Sequence, residues 1–269
     1  MHIIKYGARG AEVAELQSAL NRHGANIAED GIFGEATEQA LIRFQAVNGL
    51  MADGRFGDAT RAALAGRPTK SLTEADIADA AALLEVEPAA VKAVIQVESA
   101  GAGYLKEPQQ RVKILFERHI FARLLKERDS AAYDKACREA PHICHSTPGG
   151  YKGGAAEYPR LARAMMYHHE TAMEAASWGL FQIMGFNYKQ AGFDSIHAFV
   201  DAMKESEGQQ LTAFARFVKA DKAMHAALKK HDWAAFAKRY NGPAYQKNNY
   251  DAKLANAYRR YQELADKAA

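Results

Sequence analysis

Apolar residues return at three- and four-residue intervals along most of this chain, the period of helices that bury one face. The spacing predicts helices over 73–85, 88–100, 117–140, 157–176, 195–231, 232–239 and 249–267. Nearer the start, Val13, Leu16 and Leu20 form a similar stripe that stops at Gly24, and a second helical stretch closes around Phe44-Gln45 and Asn48-Gly49-Leu50. Two segments break the pattern. Gly66 to Ser71 is rich in glycine, proline and small polar residues, which marks a domain boundary. His145 to Gly154 holds four glycines and a proline in ten residues, which predicts a loop or small hairpin. Thr73 followed by Asp76 reads as the cap that opens the next helix. The expected fold class is mainly α: a small three-helix module over 1–66, a linker over 67–72 and a larger helical domain over 73–269 with a minor loop or hairpin region.

The small module contains an internal repeat. Asp30-Gly-Ile-Phe-Gly-Glu-Ala-Thr-Glu-Gln-Ala-Leu41 recurs 23 residues later as Asp53-Gly-Arg-Phe-Gly-Asp-Ala-Thr-Arg-Ala-Ala-Leu64, identical at eight of twelve positions. An Asp-Gly pair makes a turn, the phenylalanine can pack inward, and the second glycine lets a helix begin at once. Each copy is expected to be a turn leading into a helix. The module has no cluster of nucleophiles or paired acids, so it reads as a binder.

Candidate chemistry lies in the larger domain. Glu98 falls three, four and seven residues after Ile95, Val94 and Val91, so it emerges from the apolar stripe of its helix. Desolvation there disfavours the charged form and raises the pKa, the condition for a general acid near neutral pH. A buried glutamate held by an arginine or an amide satisfies the same spacing.

Composition narrows the alternatives. Apolar residues are 48% of the chain and charged residues 25%, an ordinary globular balance. No apolar run approaches the roughly 18 residues that a membrane span needs, so stable membrane insertion is not expected. Met1 to Gly7 lacks a secretory signal, and the chain is expected not to leave the cytoplasm by a route of its own. The net charge of +3 is uneven: residues 1–66 have 6 Lys/Arg against 8 Asp/Glu, and the rest 29 against 24. That excess is too diffuse to argue for nucleic acid. Cys137 and Cys144, with His142 and His145, match no usual zinc spacing; a disulfide across the six intervening residues suits an exported chain and not a reducing cytoplasm, so two free thiols are expected, with no metal and no cofactor.

Three motifs of the small module, Leu16-Gln17-x-x-Leu20-Asn21-x-x-Gly24, Asp-Gly-x-Phe-Gly-x-x-Thr and Phe44-Gln45-x-x-Asn48-Gly49-Leu50, closely resemble the peptidoglycan-binding domain of cell-wall hydrolases. The resemblance implies a wall ligand in a shallow groove near the repeat turns, the region marked by Asp30, Phe33, Asp53 and Phe56. Phe33 and Phe56 also suit the core.

In the larger domain, Glu98-Ser99, Gly179-Leu-Phe-Gln-Ile183 and Arg239-Tyr-Asn-Gly242 resemble, in that order, blocks of the lysozyme and lytic-transglycosylase superfamily. Longer strings, Ile114-Leu-Phe-Glu-Arg-His119, Ser177-Trp-Gly-Leu-Phe-Gln-Ile-Met-Gly-Phe-Asn-Tyr188 and Tyr240-Asn-Gly-Pro-x-Tyr245, resemble the N-acetylmuramidase domain of modular phage endolysins over roughly 73–265. This implies hydrolysis of the β-1,4 bond between N-acetylmuramic acid and N-acetylglucosamine with Glu98 as general acid. Glu117 is the nearest motif-borne second carboxylate, although a structural pair with an arginine fits it as well, and a lone acid with a positioned water is the other option. Gln182 and Asn241 offer amides for N-acetyl groups or for water. Tyr240 can hydrogen-bond near the acid, and Tyr151 and Tyr158 can stack on sugars. Competing readings are a lytic transglycosylase giving 1,6-anhydro products and a non-catalytic peptidoglycan-binding protein. The phage-lysin resemblance implies a monomer held in the infected cell's cytoplasm until a holin-type pore opens a way to periplasmic peptidoglycan.

Overall fold

The computed structural model describes residues 3–66, 70–99, 101–107, 109–242, 246 and 248–267. Residues 67–69 of the expected linker and the motif residues Pro243 and Tyr245 lie outside these. The chain forms two compact units, residues 1–79 and 80–269.

In the first unit, α1 (Ala11–Arg22), α2 (Glu35–Val47) and α3 (Asp58–Leu64) surround a core of Ile4, Val13, Leu16, Leu20, Phe33, Leu41, Phe44 and Phe56. The repeat builds the same junction twice. Asp30 Oδ1 accepts from Ile32 N at 2.9 Å and from Gln17 Nε2 at 2.8 Å; Asp53 Oδ1 accepts from Arg55 N at 2.9 Å and from Gln45 Nε2 at 3.0 Å. Each glutamine also bonds the repeat threonine, Thr37 at 3.0 Å and Thr60 at 3.2 Å, and accepts from the turn glycine, Gly31 or Gly54. Those glycines stand at φ +69° and +64°, a left-handed conformation that a side chain would oppose. One buried amide thus satisfies a whole turn, which is why the Asp-Gly-x-Phe-Gly-x-x-Thr wording recurs.

Thr73 and Asp76 cap α4 (Glu74–Leu84) reciprocally, with Thr73 N donating to Asp76 Oδ2 at 2.9 Å and Asp76 N donating to Thr73 Oγ1 at 3.1 Å. The division between units falls inside this helix, because Leu72 and Glu74 accept hydrogen bonds from Met51 N and Ala52 N of the first unit.

The second unit contains α5 (Pro88–Glu98), α6 (Arg118–Arg128), α7 (Ser130–Glu139), α8 (Glu157–Met165), α9 (His169–Glu174), α10 (Ile196–Glu205), α11 (Glu207–Ala220), α12 (Lys222–Lys229), α13 (Trp233–Asn241) and α14 (Tyr250–Asp266). Three stretches read as single helices are divided. Asp129 splits 117–140, His168 splits 157–176, and Ser206 and Asp221 split 195–231. In each case the side chain accepts from a backbone N–H two or three residues ahead, so a polar cap restarts the helix while the apolar period runs on.

The other departure from expectation is a three-stranded antiparallel sheet in the order β1 (Ile114–Phe116), β2 (Ala176–Trp178), β3 (Ile183–Met184). Ile114 faces Trp178 and Phe116 faces Ala176 across the first pair, and Trp178 faces Ile183 across the second. Ala176, read as the last residue of the 157–176 helix, therefore opens a strand. The glycine-rich segment 145–154 is a loop leading into a 3₁₀ turn at Gly154–Ala156. Beneath it the fully buried Glu157 accepts from Lys152 N, Gly153 N and Phe116 N and pairs with Arg160. α14 packs on α5 through Ala89, Ala93 and Ala257, small residues that let the two helices approach, and through the ring of Tyr261. The Tyr261 hydroxyl donates to Gln96 Oε1 at 3.0 Å.

Candidate active site and binding groove

Glu98 is the last residue of α5, where Ser99 leaves helical geometry at ψ 136°. The apolar side of the helix is buried at Val91, Val94 and Ile95, so the carboxylate emerges half-buried at its edge. Asn241, at the end of α13, reaches it from a helix distant in sequence: its Nδ2 donates to Oε1 at 2.9 Å and to Oε2 at 3.1 Å. Burial pushes the Glu98 carboxyl up to about 7, against the Asn241 amide, which favours the charged form. A carboxyl so placed holds a proton at neutral pH and can give it up to a leaving oxygen.

Tyr240, the preceding residue, donates to the Phe181 carbonyl at 3.0 Å, and its ring packs edge-on against Phe214. Burial raises the Tyr240 hydroxyl's pKa and the nearby Glu98 charge raises it further, so the phenol stays protonated as a donor. Tyr240 and Asn241 thereby tie Glu98 to the turn between β2 and β3. In that turn Gly179 stands at φ +73° and Gln182 at φ +50°. The Gln182 amide is engaged at both ends: Nε2 donates to Gly179 O at 2.7 Å and to Lys113 O at 3.3 Å, and Oε1 accepts from Ser177 Oγ at 3.0 Å. The residue expected to offer its amide to an N-acetyl group or to water uses that amide to hold the turn of the sheet.

A second residue of the same kind escaped sequence reasoning. Gln210 of α11, 1% exposed, accepts from Leu180 N at 2.7 Å and donates to Met203 O at 2.7 Å. Its amide lies where a Cβ on Gly103 or Gly179 would stand, 2.1 and 2.8 Å from the nearest Gln210 atoms. Both glycines are therefore required. Gln210 ties the β2–β3 turn to the end of α10 and packs against Gly103 in the segment that follows Glu98. The available signal was a glutamine on the buried stripe of α11.

Glu117 precedes α6 and belongs to the half-exposed face of the sheet edge with Lys113 and Leu115. Its Oε2 accepts from the Tyr151 hydroxyl at 2.7 Å, and His119 Nδ1 lies 3.2 Å from the same oxygen. The adjacent Arg118 donates to Thr147 O and Pro148 O, both at 2.9 Å, so the glycine-rich loop is fastened to the start of α6. The alternative of a structural arginine pair for Glu117 is not what the structure shows: its hydrogen-bond partner is Tyr151. Tyr151 is 43% exposed. Tyr158 is placed differently. Its hydroxyl donates to Val112 O at 2.8 Å, Arg111 covers its ring at 4.5 Å, and it borders a 260 Å³ cavity with Trp178 and Met173, on the core side of the sheet. Sugar stacking beside Glu117 is closed to it.

In the first unit, Phe33 and Phe56 are 1% and 5% exposed and Asp53 is 7% exposed, which turns these three expected ligand markers inward as structure. Asp30 borders a shallow groove of 470 Å³ with Arg9, Gly10, Ala14, Glu29 and Gly31. The second repeat fills the corresponding space. Gly31 faces Gly10 and Ala14, whereas Gly54 faces Glu38 and Ile42. One groove is open and its twin is occupied by side chains. Among the described residues, no group of three or more His, Cys, Asp or Glu side chains is placed to hold a metal ion, and no helix is long and apolar enough to cross a membrane.

A half-buried acid at a helix end, linked through Asn241 and Tyr240 to a small sheet in an otherwise helical unit, and a separate three-helix unit with an open groove define a modular lysozyme-type glycoside hydrolase. The N-acetylmuramidase family profile matches residues 87–262, and that of a peptidoglycan binding domain matches residues 9–64. The fold is similar to the crystal structure of Burkholderia AP3 phage endolysin, at TM-score 0.90 and 50% identity over 97% of this chain and 100% of that one. The chain belongs to the N-acetylmuramidase family and carries a peptidoglycan-binding domain ahead of the muramidase domain.

Proposed function

We propose that this protein is an endolysin that hydrolyses the β-1,4 bond between N-acetylmuramic acid and N-acetylglucosamine, with Glu98 as the general acid. The observation that carries the assignment is the Glu98 carboxyl itself, half-buried, held at both oxygens by Asn241 and pushed up to about 7. The glycosidic oxygen is a poor leaving group until protonated, and the sugar left behind develops positive charge. Glu98 delivers the proton to that oxygen as the bond breaks. Glu117, oriented by the Tyr151 hydroxyl, is the proposed second carboxylate that activates water or stabilises the cation. Tyr240 and Asn241 set the acid's position, and Gln182 serves the substrate by fixing the turn beside it. Tyr151 offers its exposed ring to a sugar.

Residues 1–66 are proposed to hold the enzyme on the wall through the groove at Asp30, residues 73–269 to cut it, and residues 67–72 to join the two. The matched stretches 9–64 and 87–262 support this division. Binding keeps the catalytic unit near an insoluble polymer and raises its local concentration. The proposed setting is that of a monomeric phage lysin, held in the host cytoplasm until a holin-type pore gives access to periplasmic peptidoglycan, with no nucleic-acid partner.

Product analysis of digested peptidoglycan tests bond, reaction and residue together. Reducing muramic acid ends from the wild type, lost in Glu98→Gln, are expected. Products with 1,6-anhydro ends would overturn hydrolysis in favour of transglycosylation, and undiminished cleavage by Glu98→Gln would remove Glu98 as the acid.

A further inference from the structure

The end of α7 brings the two cysteines together. Ala140 N donates to Ala136 O at 2.8 Å, and Ile143 N and Cys144 N both return to Ala140 O, at 2.9 and 3.1 Å. This doubling back lays Cys144 against the last turn of α7. Ala136, Ala140, Ile143 and Cys144 are at most 1% exposed, so packing holds the turn in place. Both thiols are free, yet their sulfurs stand 2.9 Å apart, inside ordinary non-bonded sulfur contact. The backbone has already made the approach that a bond between them needs.

We propose that Cys137 and Cys144 are an oxidation site that closes to an intramolecular disulfide when the protein meets a disulfide oxidant, such as oxidised glutathione or an oxidised dithiol protein. Cys137 is half-buried and reachable, whereas burial raises the pKa of the Cys144 thiol and shields it. Cys137, as thiolate, attacks one sulfur of the oxidant; that S–S bond breaks and the first thiolate leaves. Cys144 then attacks the Cys137 sulfur of the mixed disulfide, losing its proton to solvent, and the second thiolate leaves. The protein gives up two electrons and two protons, and the oxidant becomes two thiols. The change of compartment that would trigger this rests on the wall-hydrolase reading; the pairing of the sulfurs does not.

The location gives the bond a consequence. Cys144 is the root of the glycine-rich loop, whose next residues are fastened by Arg118 and whose Tyr151 orients Glu117. A covalent bond at Cys144 anchors that loop to α7 whatever happens at its far end. The protein would be assembled with free thiols in a reducing cytoplasm and fixed after release.

The test uses the full chain. Purified protein is treated with oxidised glutathione or with a phosphine reductant, alkylated, and weighed intact. After oxidation the protein should refuse alkylation and weigh about 2 Da less than the reduced protein before alkylation, whereas the reduced sample gains two alkyl adducts. Trypsin should then yield a linked pair of peptides, 136–138 and 139–152. The melting temperature should rise by roughly 5 °C, reversibly on reduction. Cys137→Ser should melt as the reduced wild type does and show no response to oxidant. Full alkylation of both cysteines after oxidation, persistent glutathione adducts or disulfide-linked dimers would each overturn the proposal. Cleavage of sacculi is measured on the same samples, so an active enzyme whose thiols do not pair overturns the disulfide alone.

Discussion

Asn241 donates one amide nitrogen to both oxygens of Glu98, at 2.9 and 3.1 Å, across 143 residues of chain. That bond favours the ionised carboxylate while burial favours the proton, and the two meet at about 7. Asn241→Ala removes the influence that lowers the pKa. The alkaline limb of kcat/KM on soluble glycan fragments should therefore move above its wild-type position, with the maximal rate down about tenfold from lost orientation. A limb that stays put would mean that another group titrates.

Glu98→Gln should lower kcat by roughly 10²–10⁴-fold with the fold intact. Its stability has a distinct signature. Because the folded-state pKa lies above the unfolded 4.5, the native state binds the extra proton, and wild-type stability falls as pH rises from about 4.5 through about 7. The glutamine variant lacks this loss. Melting curves should place it above wild type at pH 8 and level with it near pH 5; equal melting at both would show that Glu98 is not strained by burial.

Gln210→Leu leaves Leu180 N–H and Met203 C=O without their 2.7 Å partner, at a cost of about 1–3 kcal/mol for each group left unsatisfied. Since the Leu180 turn carries the carbonyl that Tyr240 holds, the variant should lose kcat more than KM. Kinetics on glycan oligomers beside urea unfolding would separate the two effects. A drop in stability with kcat unchanged would confine Gln210 to a structural role.

Arg160→Met strands the fully buried Glu157 carboxylate and should destabilise the second unit by about 3–5 kcal/mol. Neutralising the carboxylate as well, Glu157→Gln with Arg160→Met, should cost less than the single change, because no charge is left alone while the amide oxygen still accepts from backbone N–H groups. Chemical denaturation of the three proteins checks the order.

Ala14→Ile places in the first groove the kind of side chain that Ile42 supplies in the second. Binding to isolated sacculi should fall several-fold while the melting temperature and the activity on soluble fragments hold. Undiminished sacculus binding would move the wall contact elsewhere on the module.

The sequence by itself determined much of this protein. The Asp-Gly-x-Phe-Gly-x-x-Thr repeat specified its turns because each side chain in it answers a backbone group within a few residues, and Thr73 with Asp76 specified a cap for the same reason. The apolar stripe of α5 placed Glu98 at a desolvated edge, since a helix face is a local property. Helix ends were legible only where a cap coincided with a break in the apolar period; at Asp129, Ser206 and Asp221 the period ran straight through, and the cap alone decided.

Only the tertiary structure decided what each polar side chain answers. Gln182, Gln210 and Asn241 are alike as sequence, each an amide in a helical or turn context. Yet the first closes a sheet turn, the second pins it from below and the third grips the acid. The repeat glycines looked equivalent, but whether a groove lies open above them depended on Ala14 and Ile42 of two different helices. Local propensity and period are fixed by neighbours in the chain. Hydrogen-bond partners and empty space are fixed by neighbours across it, and those exist only once the helices have packed.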